Sequence, residues 1–351
     1  MTVGGLSALC SGICPFGICF TSPTSIFTTT STPADKVRLL SLDVLLTLGG
    51  VFFAMLALIV YVLARYRDRK GDTSEPPQVF GSTQIELAWT IIPTLIILML
   101  FLGTARVVFE VQDAKAPASA LNVTVVGHQF WWEFRYPKYN VVTANELHIP
   151  LSDPAHPTPT FMKLTSADVI HSFWVPSLAG KTDLLPNRVN EMWVDPHQTG
   201  MFLGQCAQFC GAQHAKMLLR VYVDTPEQFQ HWIVMQQQAK TSAPTIASDT
   251  SPNTENLQQV TPQEGRRVFE RQACINCHVV KGTTAVGQFG PDLTHLMSRS
   301  TIAAGIAPNT PENLLMWITD PSTMKPGSLM PAMHLTNVEN QQITAYLTTL
   351  Q

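Results

Sequence analysis

The 351-residue sequence predicts a multi-domain chain. In order, it holds a two-helix transmembrane hairpin, an all-β sandwich or barrel and a small all-α unit. Three observations predict it. Two uncharged apolar runs of bilayer-spanning length stand near the N-terminus, short β-rich runs separated by turn residues fill the middle, and capped helical segments fill the end. Charged residues make up 13% and the net charge is −3, so no basic field argues for nucleic acid.

Residues 1–35 contain no Lys or Arg, so the basic start of a secretory signal is missing. The stretch, with Cys10, Cys14 and Cys19, reads as a cleaved leader, a lipidated start, a mis-set start codon or a disordered N-terminus. The hairpin occupies 36–110. Its spans are 44–63, VLLTLGGVFFAMLALIVYVL, and 87–105, LAWTIIPTLIILMLFLGTA. Pro93 is tolerable because a membrane helix can satisfy the freed carbonyl elsewhere. Arg65, Arg67, Arg69 and Lys70 follow the first span, against Lys36 and Arg38 before it, which favours a cytoplasmic loop. Everything after residue 106 then lies on the periplasmic or outer face, as in a two-pass protein of a bacterial inner membrane.

From 121 the texture changes to runs such as LNVTVVGHQFWWEFRY, TFMKLTS and MLLRVYVD, with turn residues at regular intervals. Thr225-Pro226-Glu227-Gln228 offers an N-cap, a Pro at the first helical position and a capping-box Gln, predicting a helix through Gln238. Residues 240–259 lack periodicity and large apolar groups, and read as a flexible linker. Thr261-Pro262-Gln263-Glu264 repeats the capping box, and Thr336-Asn337-Val338-Glu339 begins the last helix.

Besides the leader cysteines, the chain has Cys206 and Cys210, then Cys274 and Cys277, each pair beside a histidine. Seven cysteines at these spacings are a poor disulfide framework and favour metal or cofactor chemistry. Cys206-Ala-Gln-Phe-Cys210-Gly-Ala-Gln-His214-Ala-Lys-Met217, with His171 upstream, combines thiolates, imidazoles and a thioether, the set that suits copper in electron transfer. Two Cys four apart in one loop can bridge a pair of copper ions. A structural zinc site has no use for Met217. A copper chaperone of thioredoxin-like fold predicts alternating parallel strands and helices, whereas this region is strand-rich. Cys274-Ile-Asn-Cys277-His278 is the C-x-x-C-H signature of covalent c-type haem, and Met324, Met330 and Met333 are candidate distal ligands.

The segment from His171-Ser-Phe-Trp-Val-Pro through Arg188, followed by the Cys206–Met217 loop, resembles subunit II of cytochrome c oxidase. The resemblance runs from about residue 36 to 238. It implies an all-β cupredoxin-like Greek-key barrel (residues 111–239) carrying the dinuclear copper centre called CuA. The implied ligands are His171, Cys206, Cys210, His214, Met217 and the backbone carbonyl of Gln208. Many members have Glu at the Gln208 position, where the carboxylate helps bind magnesium at the border with subunit I, so the magnesium contact is in doubt here.

The aromatic run Phe130-Trp131-Trp132 resembles the family's electron-accepting strand, with Phe130 where Trp is usual. Phe130 suits a chain whose donor is its own tethered haem, or one adapted to another carrier. Glu86-Leu-Ala-Trp89-Thr-Ile-Ile-Pro93 resembles the start of the family's second helix, whose Glu lies at the mouth of a proton path into subunit I.

Residues 260–351 imply an all-α cytochrome c domain. Lys325-Pro-Gly-Ser-Leu-Met330-Pro resembles the distal loop and selects Met330. Gly290-Pro291-Asp292-Leu293 resembles the segment whose Pro carbonyl orients the proximal His. Met297 and Met316 are expected in the core, and His148, His197, His295 and His334 at the surface or in the core.

The order of parts resembles a caa3-type oxidase subunit II. That implies passage of electrons from haem c to CuA and on to subunit I, where oxygen is reduced to water with proton translocation. Implied partners are subunit I, subunit III, a periplasmic or membrane-bound donor and the lipid bilayer. A quinol oxidase subunit would lack the copper ligands. A CuA-containing nitric oxide reductase would differ in its large subunit, and a simple electron shuttle would not need two spans.

Overall fold

The computed structural model describes residues 24–67, 75, 78, 80–112, 115–153, 155, 157–238 and 259–351. Cys10, Cys14 and Cys19 of the expected leader, Arg69 and Lys70, and residues 240–258 of the expected linker lie outside the described residues. The chain divides into two compact units, Asp35–Ala114 and the remainder.

Helices α1 (Thr32–Arg65) and α2 (Thr83–Gln112) make the first unit. Both exceed the apolar runs that predicted them, because polar turns extend each end. Thr47, Thr90 and Thr94 donate their hydroxyls to carbonyls four residues earlier, at 2.8, 2.8 and 2.6 Å, so these polar side chains need no outside partner. Inside the unit, Lys36 pairs with Glu110 at 2.9 Å. Most apolar mid-helix side chains are exposed: Phe53 and Ile97 are each 67% exposed. A surface this continuously apolar suits lipid rather than water.

Ten strands form two five-stranded sheets. The first runs β3 (Val141–Ala144), β2 (Trp131–Tyr136), β1 (Leu121–His128), β5 (Thr160–Ser166) and β8 (Asn190–Val194). The second runs β4 (Glu146–Pro150), β10 (Leu218–Asp224), β9 (Gly200–Cys206), β6 (His171–Trp174) and β7 (Thr182–Leu184). The β1–β5 and β4–β10 pairs are parallel and the other pairs antiparallel, so strands distant in sequence lie side by side as a Greek key requires. Alternation builds the core: Thr160, Met162, Leu164 and Ser166 of β5 are buried, whereas Lys163 between them is exposed. Trp132, Phe134, Tyr136, Phe173, Leu147 and Ile149 fill the space between the sheets.

Helix α3 (Pro226–Gln237) closes the barrel and carries the complete Thr225–Gln228 capping box, as expected. Phe229 and Ile233, four apart on one face, are its buried contacts.

The C-terminal part contains α4 (Pro262–Arg271), α5 (Cys274–Cys277), α6 (Pro311–Thr319), α7 (Pro321–Met324) and α8 (Asn337–Leu347), with a two-residue hairpin of β11 (Thr301–Ile302) and β12 (Ala307–Pro308). Helices α4 and α8 cross so closely that a β-carbon on Gly265 would stand 1.8 Å from the Gln342 carbonyl oxygen. The Thr336 box forms in full. The Thr261 box is only half made: Thr261 accepts from the Glu264 N–H, but the Glu264 carboxylate pairs with Arg267 instead of returning to the cap. Met297 packs against the core as expected. Met316, expected there too, is 49% exposed because α6 turns Leu314 and Ile318 inward instead.

Barrel and C-terminal part belong to the same compact unit. Strand β2 shows this in its burial, since both faces are covered from Trp131 to Phe134. The core accounts for Trp132 and Phe134, and the face bearing Trp131 packs on Ala304.

Candidate copper and haem sites

His171 opens β6, and pairing of Phe173 with Cys206 sets that end of β6 beside the end of β9. Cys206 is the last residue of β9. The loop after it returns to β10 through Cys210, a short 3-10 turn at His214–Lys216, and Met217, and it is closed by the Cys206 N–H donating to the Met217 carbonyl at 3.0 Å. The loop therefore folds its donors back toward the β9 terminus.

The side chains converge. Cys206 Sγ lies 3.9 Å from His171 Nδ1 and 3.9 Å from Cys210 Sγ. Cys210 Sγ lies 3.8 Å from His214 Nδ1 and 3.9 Å from Met217 Sδ, and the Gln208 carbonyl oxygen is 3.2 Å from Cys206 Sγ. Donors on one tetrahedral metal, with bonds of about 2.3 Å to sulfur, stand about 3.8 Å apart along an edge. The spacing therefore fits a soft-metal site without rearrangement. Cys206, Cys210, His171 and Met217 are all buried.

The residues around these donors prepare them. Asp168 Oδ1 takes the Nε2 side of His171 at 2.8 Å and leaves Nδ1 facing the sulfur. Burial opposes a charged His171, but its hydrogen bonds to Asp168 and Cys206 outweigh this and raise its pKa. Burial likewise opposes the Asp168 carboxylate, and bonds from His171 and from the Gln129 and Val169 N–H groups hold it below the usual range. The hydrogen bond from Cys210 pulls Cys206 down to about 3 against burial, while Cys210 is pushed up by the same neighbour. The shift favours the thiolate of Cys206, and thiolate is the metal-binding form. Gly127 makes room: a β-carbon there would stand 2.7 Å from His171 Cδ2.

In the C-terminal part, Cys274 and Cys277 are free thiols on α5, and His278 follows at its C-cap. His278 Nδ1 meets the Pro291 carbonyl at 2.8 Å, the orientation expected from Gly290-Pro291-Asp292. A β-carbon on Gly290 would stand 2.5 Å from the His278 ring, so only glycine lets this segment lie against the imidazole. Burial pushes the His278 pKa down and keeps the ring neutral, as an iron ligand must be.

His278, Cys277 and Met330 line one cavity of about 220 Å³, whose walls include Leu293, Leu314 and Ile318. Of Met324, Met330 and Met333, only Met330 lines it. Arg299, also on the wall, is a buried cation whose Nε has no hydrogen-bond partner among the described residues, a donor suited to an anionic group in the cavity. The residues present therefore fit a haem: two thiols, a neutral imidazole, a thioether, an apolar wall and a cation.

The expected aromatic strand lies between the two sites. Trp132 is fully buried, edge-on to His171 with ring centroids 6.1 Å apart, and its Nε1 points to the Met217 carbonyl at 3.4 Å. Phe130 and Trp131, both buried, line the haem cavity together with Gln129 and Gln213. Glu86 is placed elsewhere, exposed in the first turn of α2. His148 stacks on Tyr222 and Trp232 and pairs with Asp224 at 2.8 Å, and His295 meets the Gln351 carbonyl at 2.9 Å, so both are structural.

Two residues that matter here escaped the sequence reading, Asp168 and Gly127. Asp168 sits three residues before His171, a spacing that could have flagged it as the partner of a ligating imidazole.

Residues 22–106 match the family described as cytochrome C oxidase subunit II, transmembrane domain, 154–223 its periplasmic domain, and 262–351 the cytochrome c family. The chain is 33% identical over 312 residues to cytochrome c oxidase subunit 2 of Alkalihalophilus pseudofirmus, covering 88% of this chain and 85% of that protein. It is 33% identical over 304 residues to the protein of the same name from Bacillus sp. PS3, covering 82% and 80%. The solved periplasmic domain of subunit II of cytochrome oxidase from Bradyrhizobium japonicum is 29% identical, covers 35% of this chain and 97% of that one, and has a TM-score of 0.33.

Proposed function

Because the chain belongs to the cytochrome c oxidase subunit II family and carries a cytochrome c domain on the same polypeptide, we propose that it is the electron-accepting subunit of a caa3-type respiratory oxidase. In this reading, electrons pass from haem c to a dinuclear CuA centre and on to subunit I, which reduces oxygen to water and translocates protons. Subunit III and a periplasmic or membrane-bound donor complete the assembly. The two apolar helices anchor the chain in a bacterial inner membrane, with the domains after residue 115 on the periplasmic face. Glu86 serves the mouth of the proton path.

When bound, the haem and the copper pair supply the one-electron redox changes. Cys206 and Cys210 would hold the copper through their thiolates, with His171, His214, Met217 and the Gln208 carbonyl as the remaining ligands. Asp168 fixes the His171 tautomer. Cys274 and Cys277 would hold the haem covalently and His278 and Met330 would ligate its iron, while the Pro291 carbonyl aims His278. Burial of His171, Cys206, Cys210 and Met217 keeps water from these donors, which reduces the solvent reorganisation that accompanies transfer. Gln208 presents an amide rather than a carboxylate, which leaves the magnesium contact at the border with subunit I in doubt.

The observation that carries it is the 3.8–3.9 Å spacing of the sulfur and imidazole donors, on the same chain as a C-x-x-C-H motif facing a cavity with Met330. Metal and haem analysis of the purified full-length chain tests it. Copper and covalent haem in a two-to-one ratio, with a purple mixed-valence spectrum, is the expected result. A single copper with a blue-site spectrum would overturn it.

A further inference from the structure

Strand β4 carries a carboxylate that neither site uses. Glu146 is 2% exposed, and all its partners lie in the C-terminal part. Its Oε2 accepts from the Ser300 N–H at 3.0 Å. Its Oε1 accepts from the Ser300 hydroxyl at 2.8 Å, the Thr301 N–H at 2.9 Å and the Thr301 hydroxyl at 2.8 Å. Four donors on one buried carboxylate make a strong, geometrically specific grip. The flanking β10 residues complete the network. Arg220 donates to Thr301 Oγ1 at 2.9 Å, and Tyr222 Oη meets Ser300 Oγ at 2.5 Å. The Leu218 N–H donates to the Ala304 carbonyl at 3.2 Å. The partners sit 154 and 155 residues away in sequence, so the network joins two separately built cores.

A second contact lies at the copper loop. Gln213, the neighbour of His214, donates from Nε2 to the carbonyls of Lys325 (2.7 Å) and Pro326, at the start of the Met330 loop. In return the buried Lys325 Nζ donates to the Phe130 carbonyl at 2.9 Å. Trp131 is covered by Ala304 in the same arrangement.

We propose that Glu146 is a positioning residue, the latch that holds the C-terminal unit on the barrel so that Gln213 stays hydrogen-bonded to the loop carrying Met330. This deepens the electron-transfer reading and rests on it. While latched, the chain's own haem unit occupies the aromatic face of β2, and a free carrier has to deliver its electron to the haem unit rather than to Trp131.

The test is flash reduction of haem c in the purified oxidase, following copper reduction as solvent viscosity is raised. In the unaltered protein the rate should be first-order and insensitive to viscosity. Truncating one partner of a buried, hydrogen-bonded charge weakens an interface by about 30-fold or more, so Glu146→Ala should slow the step by about tenfold and make it viscosity-dependent. Glu146→Gln, which keeps one acceptor, should fall between. Thr301→Val attacks the latch from the other side and covers the case in which the Glu146 variant does not fold. Its effect should be non-additive with that of Glu146→Gln. Variants with intact copper and haem spectra that transfer at the unaltered, viscosity-independent rate would overturn the latch. Absence of any haem-to-copper transfer in the unaltered protein would instead overturn the electron-transfer reading beneath it.

Discussion

Adding one methyl group at Gly127 should disable the copper site while leaving the haem site alone. The new β-carbon of Gly127→Ala would stand 2.7 Å from His171 Cδ2, 3.0 Å from Cγ and 3.2 Å from Cβ. Carbon atoms settle at about 3.5–4.0 Å, so the closest approach must open by about 0.8 Å. His171 has little freedom to yield. Its Nε2 is held by Asp168 at 2.8 Å, Trp132 lies edge-on to its ring, and β6 is fixed to β9 beside Cys206. Metal bonds tolerate about 0.2 Å, so a retreat of this size takes Nδ1 out of ligand range. If the backbone yields instead, overpacking of this kind costs about 1–3 kcal/mol. Either way copper affinity should fall by about tenfold or more, the scale seen when groups that orient a ligand are disturbed. Titration of the copper-depleted chain against a competing chelator reads the affinity, and the haem spectrum serves as the internal control. Unchanged affinity, spectrum and melting temperature would refute the packing reasoning.

Three further changes should separate the parts. Cys206→Ser should abolish the mixed-valence pair, since a hydroxyl cannot replace a soft bridging thiolate. Retention of the purple spectrum would contradict this. Met330→Ala should remove the thioether-to-iron charge-transfer band and lower the haem potential, because loss of the thioether favours ferric iron. An intact band would transfer the role to Met324 or Met333. Gly265→Ala places a β-carbon 1.8 Å from the Gln342 carbonyl oxygen and forces α4 from α8. It should destabilise the haem unit by about 3 kcal/mol or more, read from thermal loss of the Soret band, and a loss under about 0.5 kcal/mol would contradict the close crossing.

Local chemistry made much of this legible. Thr225 and Thr336 cap their helices with the boxes that their sequences spell, because a capping box needs only four consecutive residues. The donor-rich loop from Cys206 to Met217 and the turn from Cys274 to His278 were legible for the same reason, whereas His171 and Met330 stand far from them in sequence and were picked out by resemblance. Where a local rule failed, a neighbour competed: Arg267 takes the Glu264 carboxylate that would have finished the Thr261 box. What sequence could not display was contact across long separations. The β2 alternation gave no sign that Trp131 would be covered by Ala304, nor did Glu146 in its strand announce donors at Ser300 and Thr301. The glycines behaved likewise. Gly127 and Gly265 are needed because an imidazole or a carbonyl from elsewhere approaches them, which no pattern around them encodes.

Transfer between haem c and copper within one chain is most directly tested by the concentration dependence of the flash-reduction rate in the purified oxidase. A first-order rate that stays constant as protein concentration rises is the predicted result. A rate that scales with concentration would show that the haem serves a neighbouring complex, and would contradict the intramolecular path.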